Sequence, residues 1–342
     1  MPGLLLDTLK GQKSARAPVW LMRQAGRYLP EYRALRAEKG GFLALVNDSQ
    51  AAAEITLQPI RRFGFDGAIL FSDILIVPDA LGQGLAFLEG EGPKLSPALS
   101  DGRLDAFEPR PDRYEPIYET VRLVRAQLPE GVTLLGFAGA PWTVATYMVA
   151  GEGSRDQGAA RMLAYRDAGA FEALIERIVG TTVDYLSGQI EAGAEAVQLF
   201  DSWAGSLSPA QFERWVIAPA TEIVSKLKAR HPDVPVIGFP KGAGGKLLAY
   251  ARETGVDALG LDETVDPLWA ARNLPSSLPV QGNLDPMLLL PGGPELESTV
   301  ERILDAFADR PHVFNLGHGI DKETPIAHVE RVLAVVRGRQ DA

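Results

Sequence analysis

Short apolar runs recur along the chain, and each ends in a polar or glycine-rich cluster before a helical pattern takes over. In order they read "PVWLM", "DGAILF", "VTLLGF", "AVQLF", "VPVIGF", "VDALGL", "LPVQGN" and "HVFNL". Runs of this length suit strands. Segments between them, such as "AAAEITLQPIRRF" and "FEALIERIVGTTVDYLSGQIEAG", place apolar residues three and four apart, which predicts amphipathic helices. Strands alternating with helices imply parallel pairing through right-handed crossovers. About eight such units are what a (β/α)8 barrel requires, and an open doubly wound sheet rarely needs so many. No low-complexity tract or linker divides the chain. The reading is an α/β protein in which residues 1–342 form a single-domain (β/α)8 TIM barrel.

The polar clusters fall at the C-terminal ends of these strands, the face where such barrels carry their active-site cleft. Arg23 and Arg27 follow the first run, Asp73 the second, and "GAPWT" the third. Asp201 and Ser202 follow the fourth, Lys241 the fifth, and Asp262 the sixth. Asn283 and Asp285 follow the seventh, and His318 the eighth. One shared pocket is expected to gather them. The stretch from Gly82 to Pro116, rich in Gly, Pro and Asp, reads as an irregular insertion of the kind that often forms a lid or interface.

Charge narrows the partners. The net charge is −10, so there is no general attraction for nucleic acid or an anionic membrane, and any anion site must be local. Yet arginines crowd into "MRQAGRYLPEYRALR". The absence of cysteine removes disulfides, thiolate catalysis and cysteine metal sites from consideration. No apolar run is long enough to span a bilayer and the N-terminus lacks a secretory pattern, so the expected location is cytoplasmic.

Several groups are candidates for chemistry. Arg23 and Arg27 lie four apart, so a helical turn would put both guanidinium forks on one side, ready for a carboxylate or phosphate. The alternative is a solvated pair bridged to surface acids. Arg33 and Arg36 read as surface residues, with Arg36 nearer the pocket rim. Asp73, in "ILFSDILIVP", has apolar residues on both sides and is expected to be partly desolvated, or else to cap a helix. Pro141 suits the first turn of a helix that carries Tyr147 two turns in, ending at "GEGS". Tyr147 could equally be core. Ser202 lacks the flanking glycines of a nucleophile elbow and suits hydrogen bonding to a substrate. Asp201 could cap the next helix. His318, between two glycines in "NLGHGI", has an accessible ring in a loop that could sit close to a ligand. No His or acid cluster has metal-ligand spacing.

Longer blocks carry more information. "PVWLMRQAGRYLPEYR" and "FSDILIVPDALG" closely resemble the two signatures of the uroporphyrinogen decarboxylase family. "FAGAPWTVATYMVAGEGS", "FDSWAG", "GNLDP" and "FNLGHGI" are similar to that family's further blocks, in its order, so that the resemblance runs from about Pro18 to His318. The resemblance implies a distorted (β/α)8 barrel, a homodimer with facing clefts, and no metal or prosthetic group. It implies decarboxylation of the four acetate arms of uroporphyrinogen to give coproporphyrinogen, in haem biosynthesis. By this similarity the catalytic residues are Asp73 and Arg23. The substrate-binding set is Arg23, Gln24, Ala25, Gly26, Arg27, Asp73, Tyr147, Ser202 and His318, with Arg36 added.

That chemistry agrees with the charges. A macrocycle carrying many carboxylates needs a cation cluster inside an acidic protein, and Arg23, Arg27 and His318 are expected to supply it. Losing carbon dioxide requires a protonated pyrrole as the electron sink, and a fixed carboxylate, Asp73, would stabilise that cation. The proton donor stays open between Arg23, a substrate propionate and water. Two other readings compete. One is a corrinoid or thiol methyltransferase on a related barrel, which the missing cysteine disfavours, and the other is a non-catalytic tetrapyrrole carrier.

Overall fold

A computed structural model describes residues 3–88, 92–104 and 107–338. Its strands, in chain order, are β1 (Gly67–Ile69), β2 (Gly84–Leu88), β3 (Gly92–Ser96), β4 (Thr133–Gly139), β5 (Ala196–Asp201), β6 (Val236–Pro240), β7 (Ala258–Gly260), β8 (Val280–Leu284) and β9 (His312–Leu316). Seven of them form one parallel sheet in the order β1-β4-β5-β6-β7-β8-β9. Because every pairing is parallel, all seven C-terminal ends lie on one side. The strands of this sheet are buried along nearly their whole length, as expected when helices cover the outside. The predicted helices lie within Ser49–Phe63 and Ala168–Ala192.

The first predicted run, "PVWLM", is not a full strand. Val19 makes a single parallel bridge to Phe314 of β9. Phe314 N donates to Pro18 O at 2.9 Å, and Asp66 N donates to Val19 O at 2.9 Å, so the segment sits between β9 and the residue before β1. The ladder stops for two reasons. Proline has no N–H to give, and the Val19 N–H goes instead to the Asp66 carboxylate at 2.8 Å. That carboxylate is also held bidentately by Arg16, at 2.8 and 2.6 Å.

The described residues of the insertion at 82–116 include two short strands. β2 and β3 pair antiparallel, Gly84 opposite Ser96 through Leu88 opposite Gly92, and form a separate two-stranded sheet. Five-residue strands opening on glycine give too short an alternation to be told from loop by pattern.

A polar thread runs through the otherwise apolar interior. Trp20 Nε1 donates to Gln281 Oε1 at 2.9 Å, and Gln281 Nε2 donates to Gln198 Oε1 at 3.0 Å. All three side chains are fully buried, so each bond satisfies a group that water cannot reach. Buried apolar residues from Leu5 to Val336 form one continuous cluster.

Candidate active site

A cleft of about 1700 Å³ opens at the C-terminal end of the sheet. Arg23, Ala25, Gly26, Arg27, Arg36, Asp73, Tyr147, Ser202 and His318 all line it. The residues arrive from different elements. The turn after the Val19 bridge brings Arg23 to Arg27, and the helix Pro30–Lys39 brings Arg33 and Arg36. The loop after β1 brings Asp73, the helix Pro141–Ala150 brings Tyr147, the end of β5 brings Ser202, and the loop after β9 brings His318.

The arginine turn is held rigidly. Arg23 has φ +60°, the left-handed region that a side chain with Cβ rarely occupies, at a cost of about 1 kcal/mol. Gln24 offsets that cost. Its Oε1 accepts from Leu21 N at 3.0 Å, its Nε2 donates to Gly67 O at 2.9 Å, and its own N–H donates to Leu21 O at 2.9 Å. Gln24 is therefore fully buried beneath the turn and does not line the cleft. The structure does not bring it to the position expected of a substrate ligand. On the other side, Met22 N donates to Asn315 Oδ1 and Ile320 N donates to Met22 O, both at 2.9 Å. A Cβ added at Gly319 would collide with the Arg23 side chain, which lies directly across that glycine.

Arg33 is exposed, as expected, and it lines the cleft as well. Its Nη1 donates to Arg27 O at 2.8 Å and to Tyr28 O at 3.2 Å, bracing the turn from which Arg27 projects. Lines of sequence gave no sign of this, because the contact depends on how the helix folds back over the turn.

Asp73 is half-buried, and one of its oxygens accepts from Leu75 N at 2.8 Å. Burial raises its pKa from 3.8 to about 6, against the opposing pull of the Leu75 N–H and of Arg23. The carboxylate is therefore mostly ionised at pH 7 and poorly solvated. Burial, with Arg23 and Lys241 adding to it, lowers the pKa of His318 from 6.5 to about 4. The expectation that His318 contributes positive charge is thus corrected: the ring is neutral at physiological pH, and the arginines carry the cationic wall. Burial also raises the pKa of Tyr147, so its hydroxyl keeps its proton.

Aromatic rings also line the cleft. Phe71, Phe87, Phe137 and Phe200 line the cleft with Phe42. Phe137 and Phe200 meet edge-to-face at 5.5 Å, and Phe42 contacts Phe87 of the hairpin at 4.7 Å. Gln189 of the helix Ala168–Ala192 fixes Phe137 in place, accepting from its N–H at 2.9 Å and donating to its carbonyl at 3.0 Å. Sequence reasoning passed over these residues because a phenylalanine in a buried strand looks like core, and only the three-dimensional parity shows which ones face a cavity.

The remaining polar clusters do not reach the cleft. Lys241 pairs with Glu263 at 3.3 Å. Asn283 is buried and donates to the carbonyls of Asp262 and Val265. Asp262 accepts from Gly242 N at 2.7 Å, and Asp285 accepts from Met287 N at 2.8 Å. Asp201 accepts from the Thr143 hydroxyl at 2.5 Å and from the Thr143 backbone N–H, so it serves the first turn of the preceding helix Pro141–Ala150 and not the next one. The cleft thus occupies one side of the sheet's end, and β6, β7 and β8 finish in structural turns. Among the described residues, no group of three or more His, Asp or Glu is placed to hold a metal ion, and no helix is long and apolar enough to cross a membrane.

Comparison with known proteins fits this arrangement. The family described as uroporphyrinogen decarboxylase (URO-D) matches residues 2–339. The uroporphyrinogen decarboxylase of Novosphingobium aromaticivorans is 70% identical over 338 residues, 99% of each chain. That of Paracoccus denitrificans is 54% identical over 337 residues, 98% of each chain. Among solved structures, a methyltransferase from Methanosarcina mazei superposes with a TM-score of 0.81 at 18% identity, covering 98% of this chain and 97% of its own. At that identity the likeness is one of fold. A family match over residues 2–339 and 70% identity across nearly the whole chain, together with the arginine turn and Asp73 in one cleft, place the chain in the uroporphyrinogen decarboxylase family.

Proposed function

We propose that this chain decarboxylates the four acetate arms of uroporphyrinogen to methyl groups, giving coproporphyrinogen. The observation that carries the reading is the set of groups lining one cleft: Arg23, Arg27, Arg33 and Arg36, a group of phenylalanines, and the desolvated carboxylate of Asp73. A porphyrinogen has the complementary parts, with carboxylate arms at its rim, apolar ring faces, and pyrrole N–H groups at its centre.

In this reading Arg23, Arg27, Arg33 and Arg36 hold the acid arms, with bidentate forks where geometry permits. The Asp73 oxygen not occupied by Leu75 accepts from the pyrrole N–H groups. When a ring carbon next to an acetate arm is protonated, the pyrrole becomes cationic, and Asp73 stabilises it from a fixed position in a poorly solvated site. Carbon dioxide then leaves, and its bonding electrons flow into that ring. Protonation of the new methylene and loss of the ring-carbon proton to solvent then give the methyl group and restore the neutral pyrrole. Tyr147 keeps its proton and serves as a hydrogen-bond donor, and neutral His318 can donate or accept. A guanidinium does not release its proton at neutral pH. The proton is therefore assigned to solvent or a substrate propionate, with Arg23 orienting the arm.

The Pro18–Trp20 segment is proposed as the eighth stave of a distorted (β/α)8 barrel comprising the whole chain as one domain. Its hydrogen bonds to both β9 and Asp66 support that closure. A homodimer in the cytoplasm is part of the same proposal, and sedimentation of the purified protein tests the dimer.

Anaerobic incubation with uroporphyrinogen, followed by oxidation and chromatography of the porphyrins, decides the function. The expected product series loses carboxylates one at a time down to four. Tight binding with all eight retained would make the protein a carrier.

A further inference from the structure

We propose that Asp201, acting through Thr143, is a positioning residue that sets the Tyr147 and Ser202 wall of the cleft. The inference rests on the decarboxylase reading for its activity test and on geometry for its argument.

Asp201 is the last residue of β5 and only 2% exposed. A buried carboxylate without a cation is costly, and among the described residues no basic side chain pairs with it. Its partner is Thr143, whose hydroxyl donates to it at 2.5 Å and whose backbone N–H donates to it as well. A threonine hydroxyl has one hydrogen. Once that hydrogen is committed to Asp201, the oxygen is free to accept, and it does so from Trp203 N at 3.1 Å. Trp203 O in turn accepts from Trp142 Nε1 at 3.1 Å. The residue after Ser202 is thus held at both its N–H and its carbonyl by the first turn of the helix Pro141–Ala150.

Thr143 and Tyr147 are four apart on that helix and share a face. The same face therefore grips the 201–203 segment through Thr143 and presents Tyr147 to the cleft, with the Tyr147 ring 6.4 Å from that of Trp203. Ser202 lies between the two anchored residues and also lines the cleft. Asp201 does not line it, so it acts on substrate only through its neighbours. The chain Trp203 N–H to Thr143 O–H to Asp201 is directional, and each bond polarises the next. Remove the terminal acceptor and the hydroxyl is free to turn, which weakens its hold on the Trp203 N–H and loosens Ser202 and Tyr147 together.

The test compares Asp201→Leu, Asp201→Asn, Thr143→Val and Thr143→Ser. Two readouts are used, turnover of uroporphyrinogen and quenching of tryptophan fluorescence by oxidised uroporphyrin. Asp201→Leu and Thr143→Val are expected to lose roughly 10- to 100-fold in kcat/KM, the size of effect that small misplacements produce. Asp201→Asn and Thr143→Ser keep an acceptor and a hydroxyl, and each should recover most of that loss. The double variant Asp201→Leu/Thr143→Val should be no worse than the poorer single, because both cut one chain. The inference is overturned if Asp201→Leu turns over within about twofold of the parent, or if the Asn variant is as impaired as the Leu variant. Should Asp201→Leu fail to fold, the Thr143 pair decides by the same criteria. Were the parent protein to release no carbon dioxide, the decarboxylase reading would fall, while the difference in uroporphyrin quenching between parent and Thr143→Val would still decide the positioning.

Discussion

Asp73 and His318 face the same cleft, and burial moves them in opposite directions, the acid up to about 6 and the imidazole down to about 4. Each shift carries its own dependence on pH. The folded state holds the Asp73 proton more tightly than the unfolded chain does. Its contribution to stability is therefore complete below 3.8 and is lost as pH rises through about 6. His318 is the reverse: its contribution is present above 6.5 and is lost as pH falls through about 4. For activity the ionised Asp73 is required, so log kcat/KM should fall below about pH 6 with unit slope. No limb near 6.5 should belong to His318, and a His318→Gln variant should keep the same acid limb. Asp73→Asn should lose on the order of 100-fold or more in kcat while its thermal melting is unchanged or improved. Near-normal turnover in that variant would remove the cation-stabilising role. At Arg33, replacement by Met should raise KM several-fold with a smaller change in kcat, since the residue braces Arg27 as well as lining the cleft. Asp73 and the two leading arginines could be read from local sequence, because charge set among apolar residues is visible there. Arg33 could not, and His318's neutrality could not, because each depends on what packs over it.

At the scale of elements, the loop after β9 and the arginine turn form one unit. Gly319 lies under the Arg23 side chain, and Ile320 N donates to Met22 O. Gly319→Ala should therefore push Arg23 out of place and lower kcat/KM by about 10-fold or more, with little change in melting temperature. Activity equal to the parent would show that Arg23 has another position available. Of the two glycines flanking His318, read from sequence as leaving its ring accessible, Gly319 makes room for the Arg23 side chain and Gly317 for the backbone of Glu263. The β2–β3 hairpin shows the converse. Its strands were hidden in a Gly- and Pro-rich stretch, yet they bring Phe87 to the cleft beside Phe42. The helices Ser49–Phe63 and Ala168–Ala192 were plain from periodicity, since amphipathic spacing survives whatever the tertiary partners are.

Over the whole molecule, the Pro18–Trp20 segment bonds both to β9 and to Asp66, and Asp66 is the residue that holds it. Its carboxylate takes the Val19 N–H and both Arg16 forks, while its own N–H reaches Val19 O. Asp66→Ala would leave a largely buried guanidinium and an open seam. It should cost roughly 3 kcal/mol of stability in urea unfolding, the size seen when one partner of a buried pair is removed. A loss near zero would mean that the seam is held by packing alone. The alternation of apolar runs and amphipathic helices determined, without coordinates, that this is an α/β chain of parallel strands with its polar clusters at one end. The sequence blocks determined the family. Which clusters share a pocket was decided only by the tertiary structure. Lys241, Asp262, Asn283 and Asp285 follow their strands just as Asp73 and Ser202 do, yet they close structural turns. The physical reason is that a strand's end fixes only the side of the sheet on which a residue emerges. Whether it meets a cavity or a hydrogen-bonding neighbour depends on backbone groups from elements far away in sequence, and on side-chain direction that no local pattern records.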